Sequence, residues 1–468
     1  MLTIGIILCY LLGLSLLWLI SRKFTVTEMV GYSFLLGIGA ESVFLFLLDI
    51  VGVKYSAGVL IGINLATIAA LVAANYKNLL HLKSDFPAPD FSLSKVNYVA
   101  LFMVALMVYL FYAITVKNLF WIPTEHDSIS SFDKLGRIMA LEGKLRISLF
   151  DYNLEGAGGI YPPLYHSSFA YVYIFGAESP KIITTLFFVS LLTTFYSIVK
   201  NYVGSTAAAL FTFILMVTPE MFSHAALSLG NLPTTAYVGA ASLLLFTWIE
   251  KRDEKSFWLS AALMGLVIWI RSDTIVFIAA ALLLMGLDFL ATKDWKKIII
   301  YGAFAVAPFI IWNLYMKLKL HAIQSNKFDL GMGYNSERFD LVWGYVKAFL
   351  FGGQKGNVDG GQLYGLVFIL FFAALLINLV MMYKNGWKET LKDKWTVLVF
   401  FFVSFALYFL VFYLIDVKVQ RAPISSLMES SFKRGLFFFI PVVLFYAATN
   451  RSSAWLFEKI ERFRTGNV

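Results

Sequence analysis

Cysteine is nearly absent: Cys9 is the single one in 468 residues, and it lies inside an apolar segment. Neither an internal disulfide nor a cysteine metal cluster can therefore form. Charge is scarce too. Only 14% of residues are Asp, Glu, Lys or Arg against 59% hydrophobic, and mean hydropathy is +0.75. Most of the chain must then lie in a bilayer rather than around a soluble core, which makes it a polytopic membrane protein. The net charge of +9 sits on Lys and Arg in short loops between apolar runs, where they serve as topology signals and headgroup contacts. Membrane lipid is thus an expected partner and nucleic acid is not. The first apolar segment has no basic residue before it and no small-residue cleavage site after it, so it reads as a retained span rather than a signal peptide.

With about 20 apolar residues per span as the template, the chain divides into about thirteen helices, an all-α integral membrane fold. They lie near Leu2 to Ile20, Val30 to Val51, Ala57 to Ala74, Tyr98 to Val116, Lys181 to Val199, Ser205 to Thr218, Pro233 to Ile249, Phe257 to Ile270, Thr274 to Ala291, Ile298 to Met316, Gln362 to Tyr383, Trp395 to Ile415 and Leu436 to Ala448. The segment Tyr161 to Phe175 is too short for a crossing and opens with Pro162 and Pro163, so it is expected to lie in or dip into the interface. With that segment not crossing and the N-terminus outside, the basic turns Ser21 to Glu28, Lys77 to Lys95, Lys200 to Gly204, Lys251 to Lys255, Lys293 to Lys297 and Lys384 to Lys394 share one side with the tail Arg451 to Arg464. That side is assigned to the cytoplasm. The opposite side receives the longer loops, including Lys117 to Ile160 and Lys317 to Gly361.

The polar run Glu125-His126-Asp127-Ser128-Ile129-Ser130-Ser131-Phe132-Asp133-Lys134 follows the fourth span. Acidic groups at the edge of a span in so apolar a chain mark a functional site. This run, with Lys134-Leu135-Gly136-Arg137 and Glu142-Gly143-Lys144-Leu145, resembles the first external loop of membrane glycosyltransferases of the GT-C superfamily, and Tyr161-Pro162-Pro163-Leu164 resembles the proline-rich segment downstream of it. Asn231-Leu232-Pro233 stands where many relatives have Asp-x-Pro, Gly265 to Arg271 resembles a glycine-to-basic helix end, and Ser431-Phe432-Lys433-Arg434-Gly435-Leu436 with Pro441 resembles the arginine-containing start of the last span. The resemblance covers about Tyr98 to Ala448 and is to enzymes of the protein O-mannosyltransferase and lipid A aminoarabinose transferase type. Asn231 departs from it by replacing an acid, and three spans precede the core where many relatives begin with it.

Span positions and the resemblance together divide the chain into residues 1–96 as three additional N-terminal helices, 97–316 as a GT-C-like core with a catalytic loop over 117–180, 317–361 as an external loop long and flexible enough to act as a lid, and 362–468 as C-terminal spans and a cytoplasmic tail. The resemblance also implies a polyprenyl-phosphate-linked sugar as donor, a lipid, polysaccharide or protein as acceptor, and a site on the exterior or periplasmic face of a cytoplasmic membrane. A sugar on a lipid phosphate carries a good leaving group, so the enzyme must activate an acceptor hydroxyl and hold the departing phosphate. The resemblance makes Asp127 the expected base, with inversion at the sugar, and Glu125 and His126 are the neighbours that could tune or replace it; local sequence alone favours Asp127 as a helix cap. Arg271, Lys433 and Arg434 are the expected phosphate ligands, an arginine fork matching phosphate oxygens well. For Arg271 the alternative is an interfacial arginine paired to Asp273. Lys418 and Arg421 are lesser members of the same group.

Tyr161, His126, His166, His224, Asn231 and Asp273 complete the expected substrate-binding set. Glu125, His126 and Asp127 could in principle hold a divalent ion, but no set has metal-ligand spacing and no metal or cofactor is predicted. Asp133 is expected on a solvated face, and Glu41, a carboxylate within the second span, as a packing residue or part of a polar path. Two other classes compete. A lipid-linked oligosaccharide polymerase or ligase of the O-antigen type would place weight on the 317–361 loop and Arg338, while a transporter would show repeated halves, which the sequence lacks. A non-catalytic scaffold would leave Asp127, Arg271 and Arg434 freely replaceable.

Overall fold

The computed structural model describes residues 1–75, 98–153, 161–322, 328–329, 331–385, 393–417 and 422–464. Lys418, Arg421 and the turn Lys77 to Lys95 lie outside the described residues. Helices form nearly everything, and the only strands among the described residues are Gln354–Lys355 and Val358–Asp359, a two-residue antiparallel hairpin with Gln354 opposite Asp359.

Among the described residues, ten helices are long and apolar enough to cross a membrane. The thirteen predicted segments are all helical, and three local features account for the difference. Lys181–Val217 joins two predicted spans, with Gly204 at φ 81°, ψ 177° breaking it internally, a backbone state glycine tolerates. Glu254–Ile270 has 17 residues. The predicted span from Gln362 is divided at Gly365 (φ 56°) into Gly360–Tyr364 and Val367–Asn385, of which Val367–Met381 is apolar.

Local chemistry sets the helix ends. Thr25 opens α2 (Val26–Val51) with a reciprocal capping box, its side chain accepting from the Glu28 amide and the Glu28 carboxylate accepting from the Thr25 amide. Gly52, at φ 75°, closes the same helix. α1 (Leu2–Ile20) packs on α2 through glycines: a Cβ on Gly13 would stand 1.7 Å from the Ser33 carbonyl oxygen, and one on Gly37 2.0 Å from that of Cys9. Such close backbone approach is how small residues drive helix association in lipid.

Burial divides the bundle into an inner and an outer set. In α8 (Asn231–Lys251, counting helices of eight or more residues) 94% of the apolar window is buried, and in the terminal Ile424–Thr449 stretch 89%, against 11% in both α3 (Ala57–Ala74) and α4 (Tyr98–Phe120). The inner helix α8 carries Thr234, Thr235, Ser242 and Thr247, each donating to a backbone carbonyl four residues earlier, so the hydroxyl donors are satisfied locally.

Two expectations need correction. The segment after Tyr161 forms a helix, Leu164–Ile174, that is buried in protein rather than lying at a lipid surface: Tyr171 donates to the Gly5 carbonyl and Ser167 to Ser42, so it plugs into α1 and α2. Its predominantly uncharged sequence fits either environment, and only the partners decide. Asp133 is half-buried and accepts a hydrogen bond from Tyr173 rather than facing solvent. Glu41 is fully buried, beside a seam in which Ser167 donates to Ser42 at 2.7 Å and the Trp269 indole N–H to Ser42 at 3.1 Å.

Candidate active site

Two five-residue π turns build the site, Ser128–Phe132 and Met428–Phe432. Both end in Ser-Ser-Phe followed by two charged residues, Asp133-Lys134 and Lys433-Arg434. A π turn inserts one residue into the helical register and commonly re-aims side chains at functional sites. With the start of α8 and the turn at Arg271 they enclose a pocket of ≈ 250 Å³ lined by Asp127, Ser130, Ser131, Phe132, Tyr161, Leu229, Gly230, Asn231, Arg271, Ser431 and Arg434.

Asp127 and Arg434, 307 residues apart, meet there with Arg434 Nη1 2.5 Å from Asp127 Oδ2. Both side chains remain over one-third exposed. The second arginine is fixed from behind: Arg271 Nε and Nη2 donate to Asp273 at 2.9 and 2.6 Å, and Nη1 donates to Asn231 Oδ1 at 3.0 Å. Burial works against the Arg271 charge, but the Asp273 carboxylate more than offsets it and holds the guanidinium pKa above its ordinary value. Phe438 lies beneath it, 5.5 Å from ring centre to guanidinium carbon. Asn231, the departure from the Asp-x-Pro pattern of the resemblance, therefore serves here as an acceptor for Arg271.

Among the predicted site residues, Asp127, Tyr161, Asn231, Arg271 and Arg434 line one pocket, and Asp273 braces it. The others stand apart. Glu125 is outside the lining, with Oε2 buried and Oε1 3.3 Å from the Thr124 hydroxyl. His126 is 92% exposed, its Nδ1 3.7 Å from Asp127. Among the described residues no three His, Cys, Asp or Glu side chains converge as a metal site. His224 is buried against Glu220 (3.7 Å) and Phe437. Burial opposes ionisation of Glu220, yet His224, then Lys433 and Arg434, hold its carboxyl below the usual range. Lys433 does not line the pocket; its carbonyl accepts from Tyr364. Arg338 donates to the Ile415 carbonyl at 2.5 Å, well outside the lining. Ser130, Ser131, Phe132, Leu229, Gly230 and Ser431 were not foreseen, although the repeated Ser-Ser-Phe motif before a charged pair was a usable signal.

His166 sits in an apolar crevice with Trp312, Tyr315 and Leu320, separated from the main pocket by Tyr161, which lines both. Burial pushes its pKa down to about 4, a hydrogen bond to the Pro162 backbone working the other way. It is therefore neutral at physiological pH. Between its folded value and the ordinary 6.5 the unfolded chain binds the extra proton, so stability is retained above that window and is lost as pH falls through it, on the order of 3 kcal/mol in total. Thermal melts in detergent should fall from pH 7.5 to 4.5 in the wild type and distinctly less in His166→Asn. Equal losses would show that His166 is not the group responsible.

The fold and pocket define an integral membrane protein with a paired-arginine, single-carboxylate site at one end of its helices. Residues 166–315 match the family model described as dolichyl-phosphate-mannose-protein mannosyltransferase, which supports a glycosyltransferase of the GT-C superfamily. The matched stretch includes Asn231, Arg271 and Asp273 but stops short of Asp127 and Arg434. Neither the curated proteins nor the solved structures gave a match to this chain.

Proposed function

We propose that this protein transfers a sugar, with inversion, from a polyprenyl-phosphate donor to an acceptor hydroxyl at the extracytoplasmic face of a cytoplasmic membrane. The observation that carries the reading is the convergence of Asp127, Arg271 and Arg434 on one pocket. The family description favours a mannose-like donor and a protein hydroxyl as acceptor.

The acceptor oxygen attacks the anomeric carbon as its proton passes to the Asp127 carboxylate. The bond from that carbon to the phosphate oxygen breaks, its electron pair leaving on polyprenyl phosphate. Arg271 and Arg434 stabilise that departing charge, the second of them only once it gives up part of its contact with Asp127. The donor phosphate is thus the group that releases the base, and donor binds before acceptor. Tyr161, Asn231 and the serines of the two π turns supply the hydrogen-bonding surface for the sugar.

The test is transfer of radiolabelled sugar from a panel of polyprenyl monophosphate donors in membranes with and without the protein. Label moving from one donor into a product that no longer carries the polyprenyl chain is the expected result. Consumption of lipid-linked oligosaccharides but of no monosaccharide donor would replace this reading with the polymerase or ligase one.

A further inference from the structure

Glu429 is an acid that the transfer chemistry does not use. It stands in the second π turn, two residues before Ser431 and five before Arg434, yet does not line the pocket. Its carboxylate is instead taken up by the segment over 336–364. Oε1 accepts from the Tyr345 hydroxyl at 2.6 Å and the Asn357 amide at 3.4 Å, and Oε2 accepts from Asn357 Nδ2 at 3.3 Å. The tip of the hairpin closes on this group so tightly that a Cβ on Gly356, itself at φ 58°, would stand 2.1 Å from Glu429 Oε1 and 2.6 Å from the Tyr345 hydroxyl oxygen.

Two more ties run between the same partners. Phe349 stacks on Phe432 with ring centres 6.1 Å apart and 24° between planes, and Tyr364 donates to the Lys433 carbonyl. The segment that makes these contacts contributes no side chain to the pocket lining.

The register of a π turn is the reason an external anchor matters. Relaxation of the turn to α geometry shifts the downstream helix by one residue, and one residue of helix is a rotation of about 100°. Arg434 is the second residue past the turn and would swing away from Asp127. We propose that Glu429 is a positioning residue: by pinning the hairpin over 354–359 to the second π turn it fixes the aim of Arg434, so that the 336–364 segment sets donor affinity without touching the donor. This rests on Arg434 being a ligand of the donor phosphate.

The test is a double-mutant cycle on the full-length protein in membranes, reading donor KM and kcat for the wild type, Glu429→Gln, Arg434→Ala and the double variant. Glu429→Gln weakens charge-assisted hydrogen bonds to Tyr345 and Asn357 and should raise donor KM about tenfold with little change in kcat. In the Arg434→Ala background the same change should add almost nothing. Tyr345→Phe, which removes one hydroxyl, should move KM in the same direction by less and guards against simple misfolding of the first variant. Unchanged KM in Glu429→Gln at matched folded protein, or additive effects in the cycle, would overturn the role. If the wild type consumes no donor, the transfer reading fails instead; the rise in melting temperature caused by polyprenyl phosphate alone then decides Glu429, equal losses in Glu429→Gln and Arg434→Ala sustaining its role and an undiminished rise in Glu429→Gln, or none in the wild type, ending it.

Discussion

Asp127→Asn is expected to lower kcat by about 10²- to 10⁴-fold while leaving donor KM unchanged or lower, the size of effect general-base catalysis supplies. The asymmetry comes from the ion pair. Asp127 has two tasks in the free protein, facing the pocket and holding Arg434 at 2.5 Å, and asparagine keeps the shape but not the charge. With the carboxylate neutralised, Arg434 loses its ion-paired partner and remains available to phosphate. Steady-state kinetics at matched expression separate the alternatives, because a base lost without a ligand lost appears in kcat alone. A variant with raised KM and wild-type kcat would make Asp127 a partner of Arg434 and nothing more.

Arg271→Ala should have the second large effect, on the binding side. Three of the five guanidinium N–H donors are committed to Asp273 and Asn231, which leaves the remaining edge for the pocket. Truncation removes that edge and strands Asp273 without its partner at the rim of the site. Truncating one partner of a hydrogen-bonded charge pair across a binding interface, here Arg271 against the donor phosphate, costs about 2–5 kcal/mol, or about 30-fold to several thousandfold in donor affinity. Arg271→Lys should recover only a minor part, since a single ammonium cannot bridge two acceptors and still present a donor to phosphate. Isothermal competition with polyprenyl phosphate measures it directly, and wild-type affinity in Arg271→Ala would remove this residue from the donor site.

The sequence was most legible where chemistry is local. Apolar run length located the helices, and the paucity of charge made each Asp and Arg near a span end conspicuous, which is why Asp127, Arg271 and Arg434 stand out in the sequence without any view of their meeting. Distance in space was harder. Glu125 and Asp127 are two residues apart, and only the fold turns one into the pocket and leaves the other out of it. The π turns were illegible for a different reason: inserting a residue in a helix changes no composition and no periodicity long enough to detect over five positions. Gly204 was the legible counterpart: the basic turn Lys200 to Gly204 separates two apolar runs in the sequence, and the left-handed φ at Gly204 breaks the helix at that point. The role of Asn231 was obscured by comparison itself, because an amide in place of an acid looks like a loss until Arg271 is seen to use its oxygen.

The nearly complete enclosure of Asn231–Lys251 by protein has a consequence for how the chain reaches the membrane. Its hydropathy of 1.4 is shared with Ile424–Thr449 as the lowest of the ten spans, whereas the lipid-facing Tyr98–Phe120 has 2.5. Hydroxyl-rich helices partition weakly into hydrocarbon one at a time, and the penalty falls when neighbouring helices are present to cover them. The centre of the molecule is thus its least self-sufficient part during synthesis. The outer helices that precede it enter the bilayer on their own strength, and the helices that carry Asn231 and Arg434 are retained there by company.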